Sequence, residues 1–145
     1  MASLELYGLD ELNDAFRRIA DIPEDITAEA LDAMAEVAAD KIRAKGESLG
    51  IRDPESGEHI LDKVSTKRKP KITDAGGYKM ISFTGTRTRG KTKTRNAEIA
   101  FVNEYGKRGQ PARPFIRPAL AEGEDDIVRP AGKIIGDWIE NEYTN

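Results

Sequence analysis

The chain has no cysteine and only one histidine among its 145 residues. The first absence excludes disulfides, thiolate nucleophiles and cysteine-bound zinc. The second leaves His59 without a second imidazole for a metal site or a catalytic pair, so beside Glu58 in a polar loop it reads as a solvated surface residue. Aromatic residues make up only 6% of the chain, and hydrophobic residues 38%. So lean a core favours a fold that gains part of its stability from neighbours. No apolar run approaches the roughly 18 residues of a membrane span. Met1-Ala2-Ser3-Leu4-Glu5 lacks the pattern of a signal peptide, and the expected compartment is a cytoplasm. Asp10-Glu11, Glu24-Asp25 and Asp125-Asp126 stand at or near expected helix starts, where capping accounts for them. A two-metal carboxylate nuclease is the chemical alternative to that reading. Gly76-Gly77 is not followed by the lysine and hydroxyl residue that would open a phosphate-binding helix.

What the chain has in quantity is charge, and it is segregated. Residues 63 to 117 hold 15 of the 23 Lys and Arg but only three of the 26 acids, Asp74, Glu98 and Glu104. The middle therefore carries a surplus of twelve positive charges and the flanks a surplus of fifteen negative ones, although the net charge is only −3. Complementary surfaces of this kind steer association and fix register. Charge-driven self-assembly is a natural use for them.

At this length a single domain spanning 1 to 145 is expected. Leu4, Leu6 and Tyr7 suggest a short opening strand, and Asp10 can cap a helix with Leu12, Phe16 and Ile19 on one face. Ile26, Leu31, Met34, Ala38 and Ile42 give a longer helical stripe from Pro23 or Thr27 to Leu49, with Gly46 and Gly50 near its end. A loop over 52 to 57 follows, and Ile60, Leu61 and Val64 allow one or two helical turns. Beyond a basic connector at 66 to 71 and a turn at 74 to 77, Tyr78 to Phe83 reads as a strand. Ile127, Ala131, Ile134, Ile135, Trp138 and Ile139 outline a last helix that Pro130 should kink or restart. Its stripe is read as core, with a groove for a partner helix as the alternative. The expected fold is α+β: a small, mostly antiparallel sheet from 4 to 7, 71 to 88 and 92 to 102, packed by the 24 to 49 helix and the C-terminal helix.

Residues 84 to 95 alternate threonine with basic residues, and two is the period of a strand. Arg87, Arg89, Lys91, Lys93 and Arg95 would thus line one face of a hairpin arm with Gly90 at its tip. With no apolar face to bury, the arm is expected to be mobile in the isolated chain. It could grip nucleic-acid phosphates, reach an acidic face of an adjacent subunit, or stay solvated. The arm has no aromatic residue to stack on bases, which argues against single-strand or sequence-specific binding.

The segment from Phe101 to Leu120 is the most distinctive. Ile99, Ala100, Phe101 and Val102 read as a strand, stopped by Glu104-Tyr105-Gly106. Ala112-Arg113-Pro114-Phe115-Ile116-Arg117-Pro118-Ala119-Leu120 then forms a stiff apolar elbow, with Pro118 as the first residue of a helix. On those residues the chain resembles the small head-tail joining, or tail-completion, proteins of the neck of long-tailed bacteriophages. Lys107, where a small hydroxyl residue is usual, and Pro130, in a helix that is normally continuous, are its departures.

The resemblance implies a structural, non-enzymatic virion protein without a cofactor, assembled in the host cytoplasm. Identical copies would form a ring, of six, between the head-completion or connector protein and the tail terminator or tail tube protein. The ring would leave a channel for the genome, with non-specific contact to passing DNA. Glu104, Tyr105, Gly106, Arg113, Pro114, Phe115, Ile116, Arg117 and Pro118 would serve docking between subunits or rings, with Arg113 and Arg117 facing carboxylates of a neighbour. The alternative is a basic-arm DNA-binding protein of phage or bacterial origin.

Overall fold

The computed structural model describes residues 22 to 51, 60 to 74 and 76 to 143. The expected opening strand and first helix, and His59, lie outside the described residues. The long helix is α1, Glu24–Ser48, which begins after Pro23 with Glu24 and Asp25 in its first turn, where acidic groups complement the helix dipole. Its end is a Schellman motif: the Ile51 amide donates to the Gly46 carbonyl at 2.9 Å and the Gly50 amide to Glu47 at 3.0 Å. Gly50 supplies the required positive φ of 68°. Ile51, three residues past the helix, is then buried against the core.

A 3₁₀ turn, Ile60–Lys63, leads into six short strands: β1 Val64–Ser65, β2 Lys71–Thr73, β3 Gly76–Tyr78, β4 Ser82–Phe83, β5 Thr86–Arg89 and β6 Thr92–Arg95. Among the described residues they form three separate antiparallel ribbons, β1 with β4, β2 with β3 and β5 with β6, instead of one small sheet. The expected strand from Tyr78 to Phe83 is broken, because its ends pair with different partners, Lys71 at Tyr78 and Val64 at Phe83.

The β5–β6 hairpin has its tip at Gly90, as the sequence suggests, with φ 58°. Lys91 follows in the same two-residue turn with a φ that is not positive, the sign pattern of a type II′ hairpin. Its register corrects the expectation of a single cationic face. Arg87 lies opposite Thr94, whereas Lys93 and Arg95 lie opposite Thr88 and Thr86. Facing residues share a side of the ribbon. A two-residue turn pairs odd positions with even ones, so Arg87 occupies one face and Lys93 and Arg95 the other. Asn96 anchors the base: its amide nitrogen Nδ2 donates to the Thr84 carbonyl at 2.8 Å and its backbone N–H to Gly85 at 3.0 Å.

The larger correction concerns residues 97 to 102, which do not return to a sheet. Asn96–Tyr105 is a helix, α2, whose buried face is Asn96, Ala100, Asn103 and Glu104. Those positions follow the helical i, i+4, i+7, i+8 spacing, and the four-residue apolar run is too short to distinguish helix from strand. α2 ends at Gly106, where φ is 77° and an added Cβ would lie 2.8 Å from the Ala112 nitrogen.

Two more helices follow, α3 Ile116–Glu122 and α4 Glu124–Tyr143, and both pack on α1. Pro118 is the third residue of α3, two later than the sequence predicts. α4 runs through Pro130 without a restart; the missing N–H withdraws the usual helical donor from the Asp126 carbonyl. Gly123 brings the joint of α3 and α4 close to α1, since an added Cβ would meet Lys41 Cγ at 3.0 Å. Lys41 Nζ donates to Asp126 at 2.7 Å and Lys45 to Glu122 at 3.1 Å across the same seam. Lys79 and Asp32 tie α1 to the loop after β3. The hydrogen bond and charge of Lys41, then the charge of Arg129, hold Asp126 below the usual carboxylate range.

The core gathers Ala39, Ile42, Ile51, Ile60, Leu61, Val64, Ala100, Phe115 and Ala119. Phe115 is fully buried and meets Phe83 edge-on at 6.0 Å. Two helical glycines make opposite predictions. An added Cβ at Gly46 would overlap Leu61 Cδ2 in the packed core, whereas one at Gly132 would meet open space. Gly46→Ala should destabilise by about 1–3 kcal/mol despite alanine's helix propensity, and Gly132→Ala should stabilise by about 0.5–1 kcal/mol. Urea unfolding of the two variants measures both signs.

Candidate functional site

The segment that carries the resemblance folds into one unit built around Glu104. Its carboxylate, 2% exposed, accepts hydrogen bonds from the backbone amides of Phe115 and Ile116 at 2.8 Å each, and of Arg117 at 3.0 Å. Arg117 Nε adds a fourth donor at 2.9 Å. The amides are the free donors at the start of α3, which a helix cannot satisfy internally. Phe115, the N-cap residue, supplies no side-chain oxygen, and Pro118, third in the helix, has no N–H to satisfy. A carboxylate from α2, eleven to thirteen residues upstream, thus caps α3 and meets its positive dipole end.

The rest of the motif supports that contact. The Arg113 amide donates to the Asn103 carbonyl at 2.7 Å and its guanidinium to Asn103 Oδ1 at 3.2 Å, holding the extended approach to α3 against α2. Gly106 admits the backbone of Ala112 and ends the helix. Between them, Lys107 and Gln110 exchange two backbone hydrogen bonds of 2.9 Å around Arg108-Gly109. That turn closes through its backbone, with Lys107 at its first position.

This geometry redistributes the roles assigned from sequence. Glu104 and Phe115 are buried and position other groups, so neither presents a docking surface. Arg113 and Arg117 bind Asn103 and Glu104 of their own chain before any neighbour. Arg117 nevertheless keeps 62% of its side chain exposed and lies over the Tyr105 ring, 4.6 Å from its centroid. Tyr105 in turn meets Phe101, with ring centroids 4.7 Å apart. Phe101 is 61% exposed and Tyr105 54%, so an aromatic pair with a cation on it faces outward from α2. Phe101 is absent from the sequence-derived docking set because a strand reading sends it and Tyr105 along separate lines; the helical i, i+4 spacing brings them together.

Beside this pair lies a groove of about 350 Å³ between the hairpin, α2 and the 107–110 turn. Ile99 and Val102 provide its apolar wall, and Arg87, Glu98, Lys107 and Gln110 its polar border. Arg87 of the arm lines it; Lys93 and Arg95 start from the other face of the ribbon and are exposed, and Arg95 reaches the groove's Glu98 at 2.9 Å. Among the described residues no group of three or more His, Asp and Glu side chains could hold a metal ion, and no helix is long and apolar enough to cross a membrane.

Burial alone would raise the Glu104 pKa, but the amides of Ile116 and Arg117, the Arg117 side chain and the Phe115 amide together outweigh it. The carboxyl is held below its ordinary value of 4.5. The folded state therefore favours the ionised form, and this stability is full above the unfolded pKa and lost as pH falls through the lower folded one. Glu104→Gln should flatten the acid limb of the stability profile below about pH 4.5, and Glu104→Ala should cost about 3 kcal/mol or more at pH 7. Urea titrations at pH 3 to 7 check both. No family model matches the chain, and neither does any curated protein or solved structure.

Proposed function

We propose that the chain is a structural neck protein of a long-tailed bacteriophage. Identical copies form a ring that joins the DNA-filled head to the tail and leaves an axial channel for the genome. The reading rests on the resemblance carried by Glu104-Tyr105-Gly106 and Ala112 to Leu120. One observation supports it most: these residues form a single braced unit that holds Phe101 and Tyr105, 61% and 54% exposed, in a fixed outward position with Arg117. Exposed aromatics beside an arginine are characteristic of protein interfaces. A small monomer gains nothing from holding them in water.

In this reading there is no turnover and no cofactor. The mechanism is interface formation, first between copies in the ring and then with the head-completion or connector protein on one side and the tail terminator or tail tube protein on the other. A ring of six is the arrangement that the resemblance implies, and closed rings follow from head-to-tail contacts. The rival reading, a basic-arm DNA-binding protein, is weakened by the hairpin register. Its cations are divided between two faces and Arg95 is engaged by Glu98, so the arm does not offer phosphates one continuous cationic strip.

Electron microscopy of particles made without this protein tests the proposal. Filled heads beside separate, finished tails are the expected outcome, and normal virions would contradict it. DNA binding by the isolated chain, at micromolar or tighter Kd and lost on removing 85 to 95, would favour the rival.

A further inference from the structure

The groove beside α2 is bordered by Arg87 and Lys107, with Arg108 exposed next to it, yet its wall is apolar and Glu98 also faces it. Phosphate backbones suit neither an apolar wall nor a carboxylate. The surface calls for a group that is apolar at its centre and acidic around it.

The same chain carries such a group. Val128 is 47% exposed on the outer side of α4, and Leu120 is 37% exposed at the end of α3. Glu124 and Asp125, one turn before Val128, are exposed, and neither forms an ion pair among the described residues, whereas Glu122, Asp126 and Asp137 are engaged by Lys45, Lys41 and Lys133. At i, i+4 and i, i+3 these two carboxylates flank the valine on one helical surface. From residue 118 to 143 the chain has seven acids against two cations, Arg129 and Lys133, so the charge around this turn is opposite to that around the groove.

We infer that the Glu124–Val128 turn of α4 in one copy docks into the groove between the hairpin and α2 of the next. Val128 meets Ile99 and Val102, and Glu124 and Asp125 meet Lys107 and Arg87. The contact joins two different surfaces, so each copy offers one half of an interface at each side, and repeated addition closes into a ring or continues as a filament. This inference rests on the ring reading and gives it an interface.

Sedimentation velocity on the full chain, as a concentration series, tests it with Lys107→Glu and Asp125→Lys. Each variant alone should associate at least about tenfold more weakly than the wild type, because it sets like charges against each other. An equimolar mixture should recover assembly, since the acidic turn of one variant meets the intact groove of the other and the lysine-bearing turn meets the new glutamate. Wild-type association should also weaken from 0.05 to 0.5 M salt, on the order of tenfold. Rescue by mixing would not arise from misfolding of either variant. Wild-type-like association of both variants, or no rescue on mixing, overturns the interface while leaving the ring reading intact. A wild-type chain that remains monomeric throughout overturns the docking inference, and the neck reading then stands or falls on the particle microscopy. Loss of duplex DNA binding in Lys107→Glu with assembly unchanged would reassign the groove to nucleic acid.

Discussion

The contact on which the rest of the structure depends is the buried Glu104 carboxylate at the start of α3. One side chain satisfies the amides of Phe115, Ile116 and Arg117, and this fixes where α3 begins. That position sends Phe115 into the core beside Phe83 and sets α3 and α4 against α1. The cost of burying a charge is offset only because its acceptor sites meet fixed donors. Pro118 fits the arrangement because it adds no donor that the carboxylate would have to satisfy. The Glu-Tyr-Gly and Ala-Arg-Pro-Phe-Ile-Arg-Pro-Ala segments are therefore two halves of one cap, and their co-occurrence has a physical cause within a single chain.

Once α2 is pinned by its inward residues, its outward ones have no freedom to retreat. Asn96, Ala100, Asn103 and Glu104 face the body, and Phe101 and Tyr105 are held in solvent at the opposite side. The same bracing leaves Ile99 and Val102 along a groove edged with cations, while Glu124 and Asp125 of α4, without an ion pair among the described residues, lie elsewhere on the molecule. The charge segregation in the sequence thus becomes two distinct surfaces. In the proposed ring such a unit would need no large rearrangement on assembly, only the approach of preformed faces.

Much of the fold was legible in the sequence where one period persists. The stripe of α1 recurs from Ile26 to Ile42 within a helix of 25 residues, and the threonine-cation alternation with a central glycine marks the hairpin and its tip. Legibility failed where the deciding information was short or distant. Four apolar residues from Ile99 to Val102 suit a strand as well as a helix, and the cue that decides, Asn96, Asn103 and Glu104 facing inward, is polar and so resembles surface. The hairpin's faces depend on whether its turn holds an even or odd number of residues, which alternation does not reveal. The cap could not be read at all, because the partners of Glu104 are backbone amides and have no sequence identity. The elbow was recognisable as a motif, but the direction in which each of its residues points became clear only through that contact.

Residue-resolved amide hydrogen exchange measures the cap most directly. With Glu104 holding all three donors, the amides of Phe115, Ile116 and Arg117 should exchange as slowly as the central amides of α1, opening only with the whole domain. Exchange of those three at the rate of unprotected amides, while α1 remains protected, would contradict the account.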